Sequence, residues 1–349
     1  MTNTNASKIY AQVGAEAVLT EQPDLRFYLT GFESSFGYVL TDKNGSVFYT
    51  DPRYIEAAQA ALKGTEIKVE LFQGSLSDVL KPYKEVAVPL ARTYYPVYKK
   101  ITDSGKSVKD SLPAFTRSMS VKQPYELENI KNACRITDKA FNALLGNVKE
   151  GMTENELAAE LEYLMRKFGA SGTSFDTIVA FGANSSVPHH ETGETRLKFG
   201  DVVLIDFGCK YGGYCSDCTR TVLFGDNGKC ADFKKAYSHV LKAHMLVKDK
   251  LTDGMTGREA DAVARGYLKS NGLAEYFTHS LGHGIGINIH EFPALSMKSD
   301  DILKNGMVFS DEPGVYFQGR FGIRIEDSVT LQSGAVESLT DSDKSLIIL

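Results

Sequence analysis

The amino-acid sequence predicts two domains, an α/β domain with a mixed sheet over residues 1–119 and an α+β domain over residues 120–349. Three observations lead to this fold class. The chain has 349 residues, more than the roughly 100 to 200 of one typical domain. Strand and helix patterns alternate over about the first 115 residues. From Ser120 onward, two long helical patterns precede a region that is mostly strand and loop.

The first domain contains a predicted hairpin. The β-prone runs FGYVL and SVFYT flank turn residues at 42–45, and the helix that follows ends near Gly64. The runs IKVELF and KEVAVPL then predict two strands, with a helix over SLSDVLKPY between them. This alternation is typical of an α/β domain.

The second domain begins with two long predicted helices. Apolar residues recur at helical spacing after Pro124, which favours a fresh helix start. The next helix opens at Thr153, with Glu156 three residues later as a capping box, and closes at Gly169. Two more helices are predicted near 230–250 and 256–271.

Composition and charge restrict the partners and the compartment. The chain has 39 Lys+Arg against 44 Asp+Glu, a net charge of −5, which gives no broad attraction for nucleic acid or membrane surfaces. The N-terminus lacks the apolar run of about 7 to 15 residues of a signal peptide, and no segment approaches the roughly 18 of a membrane span. The five cysteines are few and odd in number, which fits a reducing compartment. We expect a cytoplasmic protein that binds small or peptide-like ligands.

Two aspartates lie in probable neighbouring strands. Asp206 interrupts the apolar run DVVLIDFG, where a buried carboxylate is costly unless it is paired or binds a metal. Asp217 follows after a Gly212–Gly213 turn. If the two runs form a hairpin, side-chain alternation places both aspartates on one face. The alternative is a surface hairpin with two incidental aspartates.

Histidines and glutamates extend this pattern. His279, His283 and His290 are close together in THSLGHGIGINIHE, and imidazole is a common ligand of transition metals, although a single histidine is more often a core residue. Glu312 and Glu326 lie in or beside β-prone runs, where each alone could be solvated. With the two aspartates, four carboxylates and one imidazole carry too much negative charge for an interior cluster without cations. Two divalent ions would neutralise it.

The strings that carry these residues resemble a known family. IDFG, YCSDCTRT, GHGIGINIHE, EPGVY and GIRIED, in this order, are similar to the prolidase and aminopeptidase P group of metallopeptidases. That group shares the pita-bread fold with methionine aminopeptidases, so the resemblance implies a pita-bread catalytic domain at 120–349. LTGF and TDPRYIEAA resemble the creatinase/prolidase-type N-terminal domain, so the likeness covers nearly the whole chain.

The resemblance also implies individual roles. It makes five residues the ligands of two divalent metal ions, with Asp217 and Glu326 bridging both: Asp206, Asp217, His283, Glu312 and Glu326. It implies catalytic roles around them for His189, His279, His290 and Arg324. His189 is preferred to His190 because it directly follows the proline, as in the family.

The predicted reaction is hydrolysis of a peptide bond. A hydroxide bridging the two metals would attack the carbonyl, and Glu312 would carry a proton to the leaving nitrogen. His290 and His189 would donate to the developing oxyanion. Arg324, placed on the same strand face as Glu326, would orient the carboxylates. The carboxylate-rich set favours Mn(2+), with Co(2+) or Zn(2+) as alternatives.

The resemblance implies peptides with proline at the second position as substrates, and a homodimer. We favour an Xaa-Pro aminopeptidase because Pro293 is followed by Ala294, where many prolidases carry an arginine that could clamp a dipeptide carboxylate. Arg320 is another candidate for such a clamp. The alternatives are an Xaa-Pro dipeptidase (prolidase) and a catalytically silent peptide-binding module on the same fold.

A CxxC pair invites a different interpretation. Cys215 and Cys218 have the spacing of a redox or zinc site, but Asp217, a predicted ligand, lies between them. Alternation places Cys215 on the face of Asp217 and Cys218 on the opposite face. Three cysteines near the metal strands, including Cys209, predict that activity is sensitive to thiol oxidation.

Overall fold

The structure is a computed structural model that describes residues 4–349, so the first three residues of the predicted N-terminal domain lie outside the described chain. The chain forms two compact units, one that ends at Met119 and one that begins at Ser120. Among the helices within 4–349, none combines the length and apolar character needed to cross a lipid bilayer.

The first unit is built on a mixed sheet. Its described elements are α1 (Asn5–Val13), β1 (Ala17–Thr20), α2 (Pro23–Thr30), β2 (Tyr38–Asp42), β3 (Gly45–Thr50), α3 (Ile55–Ala61), β4 (Ile67–Leu71), α4 (Leu76–Leu80), β5 (Glu85–Val88), α5 (Tyr95–Asp103), β6 (Ser107–Asp110) and α6 (Leu112–Ser120). The strand order is β4-β3-β2-β1-β5-β6. The β1–β2 and β2–β3 pairs are antiparallel, whereas β3–β4, β1–β5 and β5–β6 are parallel. The predicted mixed sheet is therefore confirmed.

Local sequence explains the hairpin and one helix start in this unit. Between β2 and β3, Asp42 Oδ1 accepts a hydrogen bond from the Asn44 amide at 2.7 Å, which closes the turn. At the start of α4, Ser75 and Asp78 form a capping box. The short strand β1 was not predicted, yet it lies between β2 and β5 and all four of its residues are buried.

The second unit contains four long helices around several sheets. Its described elements are α7 (Pro124–Leu145), α8 (Glu154–Lys167), β7 (Gly172–Thr173), β8 (Ile178–Phe181), β9 (Asp201–Phe207), β10 (Cys209–Tyr211), β11 (Tyr214–Cys215), β12 (Cys218–Phe224), α9 (Ala231–Lys250), α10 (Gly257–Ser270), β13 (Gly282–Gly284), β14 (Glu291–Leu295), β15 (Val308–Asp311), β16 (Gly314–Phe317), β17 (Phe321–Arg324), β18 (Glu326–Gln332) and β19 (Ala335–Ser338). Short 3₁₀ helices lie at Gly182–Ser186 and Ala274–Tyr276.

The main sheet has the order β14-β13-β15-β18-β12-β9-β8, and β19 also pairs with β18. Strands β16 and β17 form a separate hairpin, and β7, β10 and β11 form a small third sheet. Helices α7 and α8 share a hydrophobic core with β8, β9 and β12, while α9 and α10 share a second core with β15 and β17. Each of these two hydrophobic cores is thus formed by one pair of helices packed against strands.

The four predicted helices of this unit are confirmed. Helix α8 begins with the expected capping box, in which the Glu156 amide donates to Thr153 Oγ1 at 3.1 Å and the Thr153 amide donates to Glu156 Oε2 at 2.8 Å. Gly169, just beyond the helix, has a φ of 111° that disfavours other residues. Capping and apolar spacing therefore set the limits of these helices.

Candidate metal centre

A single cavity of about 530 Å³ in the second unit gathers the residues that the sequence singled out. All nine candidates line it: Asp206, Asp217, His283, Glu312, Glu326, His189, His279, His290 and Arg324. The rest of the lining is largely apolar, with Phe175, Ile178, Pro188 and Ile289 among its residues.

Strand register places the carboxylates on one face of the main sheet. Thr219 of β12 lies opposite Asp206 on β9 and opposite Glu326 on β18. Asp217 is two residues before Thr219, so alternation directs both side chains to the same face. Glu312 follows the last residue of β15, and His283 lies in β13 on the far side of that strand.

Three of these side chains form a compact group. One ligand atom each from Asp217, His283 and Glu326 lies within 4.8 Å of the others. His283 Nε2 is 3.5 Å from Asp217 Oδ2 and 3.5 Å from Glu312 Oε1. These distances exceed those of hydrogen bonds and leave room for a cation between the atoms.

The tautomer of His283 determines which of its ring nitrogens faces the carboxylates. Its Nδ1 lies 3.1 Å from the carbonyl oxygen of Gly284, which can only accept, so Nδ1 carries the hydrogen. Burial, aided by His290, lowers the pKa of His283 to about 4, so the ring is neutral. Nε2 therefore points a lone pair at the oxygens of Asp217 and Glu312. Acceptors that face one another in this way need a proton or a metal ion between them.

The carboxylates are crowded as well. Burial, followed by the charge of its neighbours, raises the pKa of Asp217 and of Glu326 well above the usual range. Burial also raises the pKa of Glu312 to about 8. Asp206 Oδ1 is buried and has no hydrogen-bond partner among residues 4–349. An oxygen-rich set with one imidazole and an unsatisfied oxygen fits divalent ions such as manganese.

Arg324 is the positively charged side chain that contacts these carboxylates, and it does so through well-defined hydrogen bonds. Nη2 donates to Asp206 Oδ2 at 2.5 Å, and Nε donates to Thr219 Oγ1 at 2.9 Å. Thr219 Oγ1 in turn donates to Glu326 Oε2 at 2.5 Å. Arg324 therefore orients Asp206 directly and Glu326 through a hydroxyl.

One detail of the sequence prediction is wrong. Arg324 and Glu326 do not share a strand face, because Arg324 ends β17 of the separate hairpin whereas Glu326 begins β18 of the main sheet. The chain passes from one sheet to the other at Ile325. The two side chains meet at the cavity because two sheets converge there, not because of period-two spacing.

A tyrosine links His279 to Arg324. His279 Nδ1 lies 2.8 Å from the Ser280 carbonyl, and burial lowers the pKa of His279 to about 3 with Arg324 as a further cause, so only Nδ1 carries a hydrogen. Nε2 then accepts from the Tyr316 hydroxyl at 3.0 Å, and Tyr316 Oη accepts from Arg324 Nη1 at 2.7 Å. This series of hydrogen bonds fixes the ring of His279 at the cavity wall.

Two histidines are more exposed than the others. His189 and His290 both line the cavity and are exposed, and the His290 ring centroid lies 4.2 Å from that of His283. They are placed to contact a molecule in the cavity. His190 instead has its Nε2 2.9 Å from Glu154 Oε2 and does not line the cavity.

Sequence reasoning missed Thr219 and Tyr316. Thr219 could have been found, because it is two residues after Asp217 on the same strand face. Tyr316 lies in the EPGVY string, but nothing in the local pattern indicates a link to His279 and Arg324. That link depends on the pairing of β16 with β17, in which Gly314 lies opposite Arg324.

The cysteines lie outside the metal-competent group. Within the described chain, that group contains no cysteine. Cys215 Sγ donates to the Ile287 carbonyl at 3.4 Å, and burial raises its pKa to about 11. Burial likewise raises the pKa of Cys218 well above its usual range. Both therefore remain thiols at neutral pH in the absence of metal, which argues against a reactive CxxC pair. Their position outside the metal-competent group argues against a thiolate-bound zinc.

We expect a Cys218→Ser variant to retain wild-type metal content. Cys218 is fully buried in the core shared with α7 and α8, and it does not line the cavity. A buried hydroxyl lowers the free energy of unfolding by about 1 to 3 kcal/mol, without touching the ligands. Elemental analysis and thermal unfolding would measure the two effects, with the half-exposed Cys230→Ser as control. Loss of metal in Cys218→Ser alone would revive a thiolate site.

Comparison with known proteins gives two family matches. The profile of metallopeptidase family M24 matches residues 128–333, and that of the creatinase/prolidase N-terminal domain matches residues 4–116. Together they account for most of the chain.

Among the similar proteins, some are named aminopeptidases and others dipeptidases. An Xaa-Pro dipeptidase of Pyrococcus furiosus is 33% identical, covering 95% of each chain. A solved X-Pro aminopeptidase of Thermotoga maritima is 35% identical with a TM-score of 0.91, covering 98% of this chain and 99% of that one. A solved Xaa-Pro dipeptidase of Bacillus anthracis is 35% identical with a TM-score of 0.93, covering 99% of both. These matches confirm the predicted fold class, an α/β N-terminal domain followed by a pita-bread domain.

Proposed function

Because this chain belongs to metallopeptidase family M24, within its prolidase and aminopeptidase P group, we propose that it is a dinuclear Xaa-Pro aminopeptidase. It hydrolyses the bond between an N-terminal residue and a following proline. The proposed ligands are those implied by the sequence resemblance: Asp206, Asp217, His283, Glu312 and Glu326.

The lone pair of His283 is the observation that carries this proposal. A neutral imidazole that faces Asp217 Oδ2 and Glu312 Oε1 at 3.5 Å is unfavourable alone and favourable around a divalent ion. The donor types favour manganese, with cobalt or zinc as alternatives. Elemental analysis of the purified protein tests the centre, and a chain without bound metal would favour a catalytically silent peptide-binding module.

When bound, two divalent ions would provide an acidified water and polarise the substrate carbonyl. The protein side chains do the remaining work. Ser310 Oγ donates to Glu312 Oε1 at 3.1 Å, which orients this carboxylate to hold a proton and pass it to the leaving imide nitrogen. His290 and His189, exposed at the cavity, donate hydrogen bonds to the peptide oxygen as negative charge develops on it.

The choice of an aminopeptidase depends on which cations reach the cavity. A dipeptidase must bind the free carboxylate of its substrate, ideally with an arginine. Among the described lining residues, Arg324 is the only arginine or lysine, and each of its three nitrogens already donates to a partner, namely Asp206, Thr219 or Tyr316. Arg320 does not line the cavity and pairs with Asp232 at 2.8 Å. Ala294, which does line it, offers no charge.

We expect alanyl-prolyl-alanine to be cleaved at least as efficiently as alanyl-proline by the manganese-loaded protein. The cavity wall offers the carboxylate of a dipeptide no free arginine, so the dipeptide gains no binding energy over the longer peptide. Steady-state kcat/KM values for the two substrates measure this, and alanyl-alanyl-alanine controls for the proline requirement. Activity confined to the dipeptide would identify the protein as a prolidase, as the names of two of the relatives suggest.

We also propose a cytoplasmic homodimer. The five cysteines are free, and four of them are buried, which suits a reducing compartment. The dimer is an expectation from the resemblance, and light scattering of the purified protein would test it.

A further inference from the structure

Behind the proposed ligands lies a second cluster of buried charges, which we call the back-face cluster. It consists of Arg220, His244, Asp311, Asp327 and Lys344. None of these residues lines the cavity, and neither the sequence pattern nor the proposed reaction assigns them a role. Arg220, His244, Asp311 and Asp327 are almost fully buried. Charges at this depth are costly unless they are paired.

The cluster holds two aspartates that face one another across the main sheet. Asp311 of β15 lies directly opposite Asp327 of β18. Like charges at directly opposed positions destabilise a strand pair unless a cation lies between them. Here the cation comes from helix α9, whose His244 is 1% exposed in its side chain.

Both ring nitrogens of His244 are in contact with these carboxylates. Nδ1 lies 3.0 Å from Asp311 Oδ2, and Nε2 lies 3.3 Å from Asp327 Oδ2. Nδ1 also lies 3.2 Å from the backbone carbonyl oxygen of Asp311, which can only accept, so Nδ1 carries a hydrogen. Nε2 makes no hydrogen bond within residues 4–349, and its contact with Asp327 Oδ2 is an ion-pair contact. Two carboxylates this close to the ring favour its positively charged form. Burial opposes that charge, but the two aspartates outweigh it and raise the pKa of His244 to about 10.

Each aspartate is the sequence neighbour of a proposed ligand. Asp311 precedes Glu312, and Asp327 follows Glu326, so alternation sends Glu326 to the cavity and Asp327 to the opposite face. Arg220 strengthens this arrangement, since its Nη2 donates to Asp327 Oδ1 at 2.8 Å and its Nη1 to the Glu326 carbonyl at 2.5 Å. The back-face cluster therefore holds the same backbone segments that present both glutamates.

We infer that His244 is a positioning residue for the metal centre, which bridges Asp311 and Asp327 and so fixes the separation of Glu312 and Glu326. This inference rests on the proposed ligand roles of those two glutamates. A ligand pair held at fixed separation binds metal without first having to be ordered. Loss of the bridge lets β15 and β18 shift at the end that carries the ligands.

The test is manganese binding by the full-length protein. His244→Gln places no positive charge between the two carboxylates, and we expect it to weaken Mn(2+) binding by about 10- to 100-fold, the range for lost partners outside the ligand set. Calorimetric titration with MnCl₂ measures the affinity, and thermal unfolding of the metal-free protein measures stability separately. His239→Gln, on the same helix with its Nδ1 3.2 Å from Tyr267 Oη, is the matched control and should bind metal as the wild type does.

Each result has a distinct meaning. A His244→Gln variant that melts at lower temperature but binds manganese with wild-type affinity would overturn the inference, because the histidine would then be purely structural. Should that variant not fold, Asp311→Asn breaks the other end of the same bridge, and wild-type affinity there would overturn the inference equally. Absence of manganese binding by the wild type would instead refute the metal centre on which the inference rests.

Discussion

We expect Asp217→Asn to lower both the affinity for metal and the kcat/KM for Xaa-Pro peptides by more than about 100-fold. Asp217 contributes an atom to the compact ligand group with His283 and Glu326, and the resemblance makes it a bridge between both ions. The amide keeps the shape of the side chain but removes the charge that attracts the cations. Metal content by elemental analysis and kcat/KM on alanyl-prolyl-alanine measure the two losses.

The fold of this variant should be intact without metal. Burial and the carboxylate of Glu326 favour the neutral form of Asp217 in the metal-free protein, so a neutral amide of the same shape is tolerated there. Asp226→Asn changes an aspartate outside the cavity and is the control for the chemistry of the substitution. Normal metal content in Asp217→Asn would remove this residue from the proposed ligands.

The second large effect is expected for His290→Ala, which should keep its metal and lose about 100- to 1000-fold in kcat. That loss corresponds to the roughly 2.7 to 4 kcal/mol measured when a single oxyanion donor is removed. His290 is exposed and lines the cavity, next to His283 but outside the compact ligand group. Its ring is thus placed to donate to the substrate rather than to hold the ions.

A conservative variant separates donation from shape. His290→Gln retains an N–H donor and should recover part of the activity that His290→Ala loses, with metal content equal in both. If His290→Ala instead loses its metal, the residue belongs among the ligands. If it keeps both metal and activity, the oxyanion role falls to another group such as His189.

Local patterns predicted the elements that depend on local contacts. The capping box at Thr153 and Glu156 correctly predicted the start of α8, and the turn after Asp42 correctly predicted the β2–β3 hairpin. Strand β1 was missed because its four residues, three of them apolar, are too few to show a periodicity. Its position between β2 and β5 is set by pairing with distant segments, which no local pattern encodes.

The candidate site also contains features that local patterns predicted and features that depend on tertiary structure. Alternation predicts that Asp206 and Asp217 face one side, and the structure places both in one cavity. The same rule failed for Arg324 and Glu326, because the chain changes sheets at Ile325. The bridge made by His244 was not predicted either, since a histidine on the buried face of an amphipathic helix is most simply a core residue.

The place of β18 in the main sheet has a consequence for the newly made chain. This strand comes late in the sequence, yet it lies between β15 and β12 and carries Glu326. During synthesis the first unit can fold early. In the second unit, however, β18 joins β12-β9-β8 to β14-β13-β15, so the main sheet cannot be completed before residues 326–332 leave the ribosome. Until then the edges of β12 and β15 stay open to wrong pairing. Completion of the sheet and assembly of the ligand set are thus one late event, when a nascent chain most needs protection from aggregation.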